Sequence, residues 1–169
     1  MIVSVGKQLA REWRVCKARL PLYICVSFLT AFCGILLWVN GTAAPVVFHT
    51  AVIPWSFLGL SGHFVLWLLL YALFGLQIAL LASVPGVPWK DPACAVVAFT
   101  LCLAWYPVFF SFWHTVFALV LLGVSFCLSA AVWLRSLRYT LLGMLCTVPV
   151  LFFESYFIVW TVLFALGNS

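Results

Sequence analysis

The chain is short of charge, and shortest of acid. Among 169 residues there are eight Lys or Arg and only three Asp or Glu, so that 7% of the chain is charged. A soluble domain is roughly a quarter charged. The deficit excludes a cytosolic enzyme, a disordered chain and, despite the formal charge of +5, a nucleic-acid binder. The seven cysteines contain no CxxC pair, and none falls in an expected outer loop, which excludes a disulfide framework and thiol redox chemistry. A phosphate-binding glycine loop, a compact metal-ligand spacing and a nucleophile–base constellation are likewise missing. What the chain has instead is 67% apolar residues, with nine Trp, sixteen Phe and five Tyr, and a mean hydropathy of +1.28.

The gaps between charges set the architecture. No charged residue occurs from Leu20 to Trp89 or from Pro92 to Leu134. A bilayer core of ~30 Å takes about 20 helical residues to cross, and backbone groups in lipid must be satisfied internally. Breakers such as Asn40-Gly41 and Pro85-Gly86-Val87-Pro88 divide the runs. The expected spans are Leu22–Val39, Leu60–Ser83, Ala93–Phe110, Trp113–Leu134 and Thr140–Leu166. This is an all-α, five-helix integral membrane bundle. With this count every Lys and Arg lies on one side, which the positive-inside rule makes the inner one: N-terminus inside, C-terminus outside. The uncharged loop 40–59 carries His49, Pro54 and Trp55, and so apolar a segment is expected to fold over the outer mouth as a lid.

Residues 1–19 place Lys7, Arg11, Arg14 and Lys17 at helical spacing, with Leu9 and Trp13 on another face. An interfacial helix on an anionic leaflet and a simple topology anchor both fit that pattern. His49, His63 and His114 share a depth near the outer face but come from three segments, and no metal site is expected from them. Glu154 is the conspicuous residue of span five. It shares a stripe with Thr147 and Thr161, spaced by seven. An acid within a span faces the bundle interior, either to meet a ligand or to hydrogen-bond a neighbouring hydroxyl, with Ser125, Ser129 and Tyr71 the candidates.

The aromatic residues divide in two. Trp13, Trp38, Trp55, Trp89 and Trp113 fall at expected interfaces, the ordinary place for an indole. Trp67 and Trp105 lie within spans. Around them the second span reads Trp67-Leu68-Leu69-Leu70-Tyr71-Ala72-Leu73-Phe74-Gly75, and the third ends Trp105-Tyr106-Pro107-Val108-Phe109-Phe110. The fifth contains Val148-Pro149-Val150-Leu151-Phe152-Phe153. Together these resemble the W-x-x-L-Y-x-x-x-G, W-x-P-x-F-F and V-P-Y-L-x-W motifs of the TspO/MBR family, the translocator or tryptophan-rich sensory proteins. The resemblance covers roughly residues 22–166. It has departures: Cys102 stands where the family carries Asn, Leu121 or its neighbour replaces an Asp, Val150 and Phe153 replace a Tyr and a Trp, and a Pro-Pro pair before the second span is missing.

The resemblance implies a membrane receptor or carrier for a porphyrin such as haem or protoporphyrin, or a comparable flat ligand such as a sterol. The binding residues would be Trp67, Tyr71, Cys102, Trp105, Phe109 and Phe153, with Glu154 beside them and His49, Pro54 and Trp55 in the lid. It implies no required cofactor, a homodimer, and residence in a bacterial cell membrane or, in a eukaryote, the mitochondrial outer membrane. Cys94, Ala98 and Cys102 offer one small-residue dimer face; Gly123/Cys127 and Ser125/Ser129 offer a rival. The alternatives are a porphyrin-degrading, photo-oxidative enzyme and a non-catalytic membrane assembly protein.

Overall fold

The computed structural model describes residues 2–40 and 59–168, with side chains from 6–37 and 61–168. All regular structure among these residues is helical: α1 (Ile2–Ala18), α2 (Leu20–Asn40), α3 (Gly59–Ser83), α4 (Lys90–Tyr106), α5 (Thr115–Tyr139) and α6 (Leu141–Gly167). Five of them, α2 to α6, are long and apolar enough to cross a membrane. The fold is therefore the expected all-α multi-pass bundle. The expected lid, with His49, Pro54 and Trp55, lies outside the described residues.

Helices α3, α4, α5 and α6 form a closed ring of neighbours, α2 lies chiefly against α3, and α1 packs on α6 and α3. The ring is held by seams of alternating three- and four-residue spacing. In α4 the buried positions are Asp91, Ala95, Ala98, Cys102 and Trp105; in α5, Ala118, Leu122, Ser125, Ser129, Val132 and Ser136; in α6, Gly143, Thr147, Val150, Glu154, Phe157, Thr161 and Phe164. A 3.5-residue repeat keeps one face against its neighbour along the whole length of near-antiparallel helices. Small residues on the α4 and α5 seams let those two helices approach closely. Ala98 and Cys102 of the one small-residue face are consequently buried inside the chain, as are Ser125 and Ser129 of the rival face, whose Cys127 is exposed.

The α2–α3 crossing is tighter still. A Cβ at Gly75 would stand 2.6 Å from Ser27 Cα and 2.8 Å from Val26 O. Only a residue without a side chain fits there. Beside it, Thr30 Oγ1 donates to Tyr71 O at 2.7 Å.

Two helix ends differ from the sequence reading. Helix α5 continues past Leu134 to Tyr139. Arg135 and Arg138 are exposed, and cations in a last turn complement the helix dipole. After Tyr106, α4 widens into a π turn over Pro107–Ser111, closed by Phe112 N–H donating to Pro107 O at 3.1 Å. Pro107 has no N–H to give and its ring crowds the preceding turn, and a π bulge accommodates both. Trp113 then reverses the chain with φ of 58°, a left-handed conformation unusual for a bulky residue.

Candidate ligand-binding site

At the end of the bundle formed by the start of α3 and the ends of α4 and α6, aromatic rings pack into one continuous cluster. Trp67 is its hub, 5.0 Å from Trp105, 4.5 Å from Tyr106, 5.2 Å from Tyr71 and 5.9 Å from Phe157, ring centre to ring centre. Trp105 stacks on Phe109 at 5.3 Å with 18° between planes, and Phe109 reaches Trp160 at 5.4 Å. These separations are those of favourable offset and edge-to-face pairs, each worth ~0.5–1.5 kcal/mol beyond area burial. Phe109 stands one turn after Trp105, and Phe110, also in the π turn, is buried beside it with ring centres 4.8 Å apart. Trp105 is 1% exposed, and its Nε1 has no hydrogen-bond partner among the described residues.

The structure brings together five of the residues singled out from the sequence: Trp67, Tyr71, Cys102, Trp105 and Phe109 are buried in this cluster. Tyr71 Oη donates within the protein, to Cys102 O at 3.5 Å. Phe153 is only half-buried and packs at the cluster's edge, because it lies off the α6 seam. Phe157, on the seam, meets both Trp67 and Trp105. Tyr106, Phe110, Phe157 and Trp160 join the cluster without being among the binding residues expected from the sequence. The sequence signal for Phe157 was its spacing of seven from Val150 and Phe164, which runs parallel to the polar stripe. His63 extends the cluster, 5.0 Å from Trp160 and within 3.3 Å of Tyr156 Oη. His114 is exposed at the start of α5, and among the described residues no group of three or more His, Cys, Asp or Glu is placed to hold a metal ion.

The polar stripe of α6, which runs from the level of the rings at Thr161 down to Thr147, is wholly buried. Thr161 Oγ1 donates to Phe157 O at 2.7 Å, and Thr147 Oγ1 to Gly143 O at 2.8 Å while accepting from Gln77 Nε2 at 3.1 Å. Between them Glu154, 0% exposed, is hydrogen-bonded through Oε1 to Ser125. Ser125 Oγ also lies 2.9 Å from Ala98 O. A hydroxyl carries one proton, and a backbone carbonyl only accepts. Both contacts are filled at once when Ser125 donates to Ala98 and a protonated Glu154 donates to Ser125. Ser129, likewise buried, is the other hydroxyl beside the carboxyl.

The other end of the bundle is charged. All eight Lys and Arg side chains are exposed, and the two remaining acids are buried. Asp91 accepts from Arg135 at 3.1 Å. Glu12 of α1 accepts from Leu141 N–H (3.2 Å), Leu142 N–H (2.9 Å) and Thr140 Oγ1 (3.1 Å), while Thr140 Oγ1 itself accepts from Gly143 N–H (3.1 Å). Three of the four unpartnered N–H groups at the start of α6 are thereby satisfied, with a negative charge at the positive end of the helix dipole.

Five apolar helices, four of them closed around an aromatic cluster and a buried acid, define an all-α multi-pass membrane protein. No family model matches the chain, and no curated protein matches it in sequence.

Proposed function

We propose that this protein is a membrane receptor or carrier of the TspO/MBR kind that binds a flat, hydrophobic ligand, a porphyrin or comparable molecule such as a sterol, between α3, α4 and α6. One observation carries the reading. Trp67 and Trp105, which lie in separate motifs far apart in sequence, form a ring pair 5.0 Å apart at the centre of a cluster drawn from three helices and the π turn. A planar guest exchanges ring–ring contacts for ring–guest contacts of the same kind, so opening the cluster to it sacrifices little dispersion energy. Trp105 Nε1 supplies a hydrogen-bond donor for an edge carboxylate or a sterol hydroxyl. Glu154, neutral in the arrangement above, adds a polar group to the floor without the cost of an isolated charge.

A second reading is favoured by the density of the cluster, whose rings are nearly inaccessible: the aromatics serve packing alone and the protein is an assembly component of the membrane. Intrinsic tryptophan fluorescence separates the two. Added protoporphyrin quenches it saturably if the cluster takes a ligand, and Trp67→Ala weakens the interaction. Quenching that rises without saturation and is the same in Trp67→Ala favours the packing reading. Photo-oxidative breakdown, the enzymatic alternative, would appear as illuminated loss of porphyrin absorbance with a new product.

A further inference from the structure

On the charged end, α1 touches the bundle along a narrow line, through Glu12 and through Cys16, which packs with Tyr23, Ala79 and Leu80. Beside this line lies a cleft of about 360 Å³, walled by Tyr23 of α2, Leu80 of α3 and Leu142 and Cys146 of α6, with Trp13 and Lys17 of α1 at its edge. The volume falls in the ~300–1,000 Å³ range of small-molecule sites. Its walls are almost entirely apolar, and Lys17, which is exposed, is the one basic residue that lines it. Glu12 is held against the start of α6 and Asp91 against Arg135, and neither acid lines this cleft beside Lys17.

We propose that this cleft binds one anionic phospholipid, with part of an acyl chain between α1 and α6 and the phosphate against Lys17. The observations fit an anionic lipid better than a soluble anion or a zwitterionic lipid: a free phosphate has no use for an apolar cleft, and a zwitterionic headgroup brings its own cation, which the lysine opposes. Trp13 and Lys17 are one turn apart on α1, which places an indole and an ammonium together at headgroup depth. On the opposite flank of α1 a second cleft, of about 500 Å³, contains Lys7 and Arg11 but also Glu12, whose carboxylate opposes an anion there. The proposal is independent of what the aromatic cluster binds.

The test is native mass spectrometry of the full chain, purified in neutral detergent and offered dioleoyl phosphatidylglycerol or dioleoyl phosphatidylcholine at equal excess. One phosphatidylglycerol is expected to be retained in preference, by about fivefold, the effect of one lysine near an anionic surface. Lys17→Gln is expected to erase the preference, while Lys90→Gln, which is exposed at the same end but away from the cleft, leaves it intact. Leu80→Trp or Cys146→Phe, which fill the cleft, should reduce retention of both lipids in whichever of the two remains folded. The proposal is overturned by equal retention of both lipids in the wild type, by a preference that survives Lys17→Gln, or by one that disappears in Lys90→Gln or Lys7→Gln instead.

Discussion

The two ends of this bundle are held together by opposite kinds of interaction. At the charged end the contacts are directional, each between a particular donor and a particular acceptor: Glu12 on the N–H groups of Leu141 and Leu142, Arg135 on Asp91, and Arg19 on Ser83 O at 3.2 Å. At the aromatic end Trp67, Tyr106, Trp105, Phe109, Phe157 and Trp160 share a cluster in which each ring touches several others. Breaking a directional bond leaves an N–H or a carboxylate buried with nothing to replace its partner. Separating two rings leaves faces that any other flat apolar surface can cover. The charged end is suited to fixing helix positions, and the aromatic end to exchanging partners.

Substitutions break this contrast at either end. The largest effect is expected from Trp105→Ala, which removes a fully buried ring and should lower stability by about 3–5 kcal/mol. Thermal unfolding in detergent, followed by near-ultraviolet circular dichroism, measures it, and Trp105→Phe should recover part of the stability. Next is Glu12→Ala, which leaves the start of α6 without its acceptor and should cost about 1–3 kcal/mol by the same measurement. If Glu12→Ala were silent, the charged end would not be the anchor.

Glu154→Gln should cost less than about 1 kcal/mol, since the amide donates to Ser125 as the protonated acid does. Infrared spectroscopy of the wild type at neutral pH should then contain a protonated-carboxyl band that is missing from Glu154→Gln. A carboxylate band in its place would reverse the proton assignment. The smallest effect is expected at the turn between α4 and α5. Trp113 holds φ of 58°, and Trp113→Asn, a residue that tolerates that region, should raise stability by at most about 1 kcal/mol.

The same contrast explains what could be read from the sequence. Placing a charge in a bilayer is costly according to depth alone, a one-dimensional quantity, so the five spans and the gathering of all basic residues at one end were legible from charge gaps. The end of α5 was not, because Arg135 and Arg138 extend from exposed positions and let the helix run on beyond the first charge. Which aromatics meet depends on helix rotation. Motifs mark Trp67 and Trp105, but the motif of the last span points to Phe153, which is off the seam, and not to Phe157, four residues on, which is in it. The Glu12 cap was illegible for a simpler reason: its partner Thr140 is 128 positions away, and no local pattern links them.

The most direct test of the account is the affinity for protoporphyrin of three proteins side by side: wild type, Trp105→Ala and Glu12→Ala. The account predicts saturable, one-site binding to the wild type and weakening by about 1–3 kcal/mol in Trp105→Ala, the range of a desolvated hot spot. In Glu12→Ala it predicts unchanged affinity despite lowered stability. Equal affinity in wild type and Trp105→Ala, or binding that never saturates in any of the three, would contradict it.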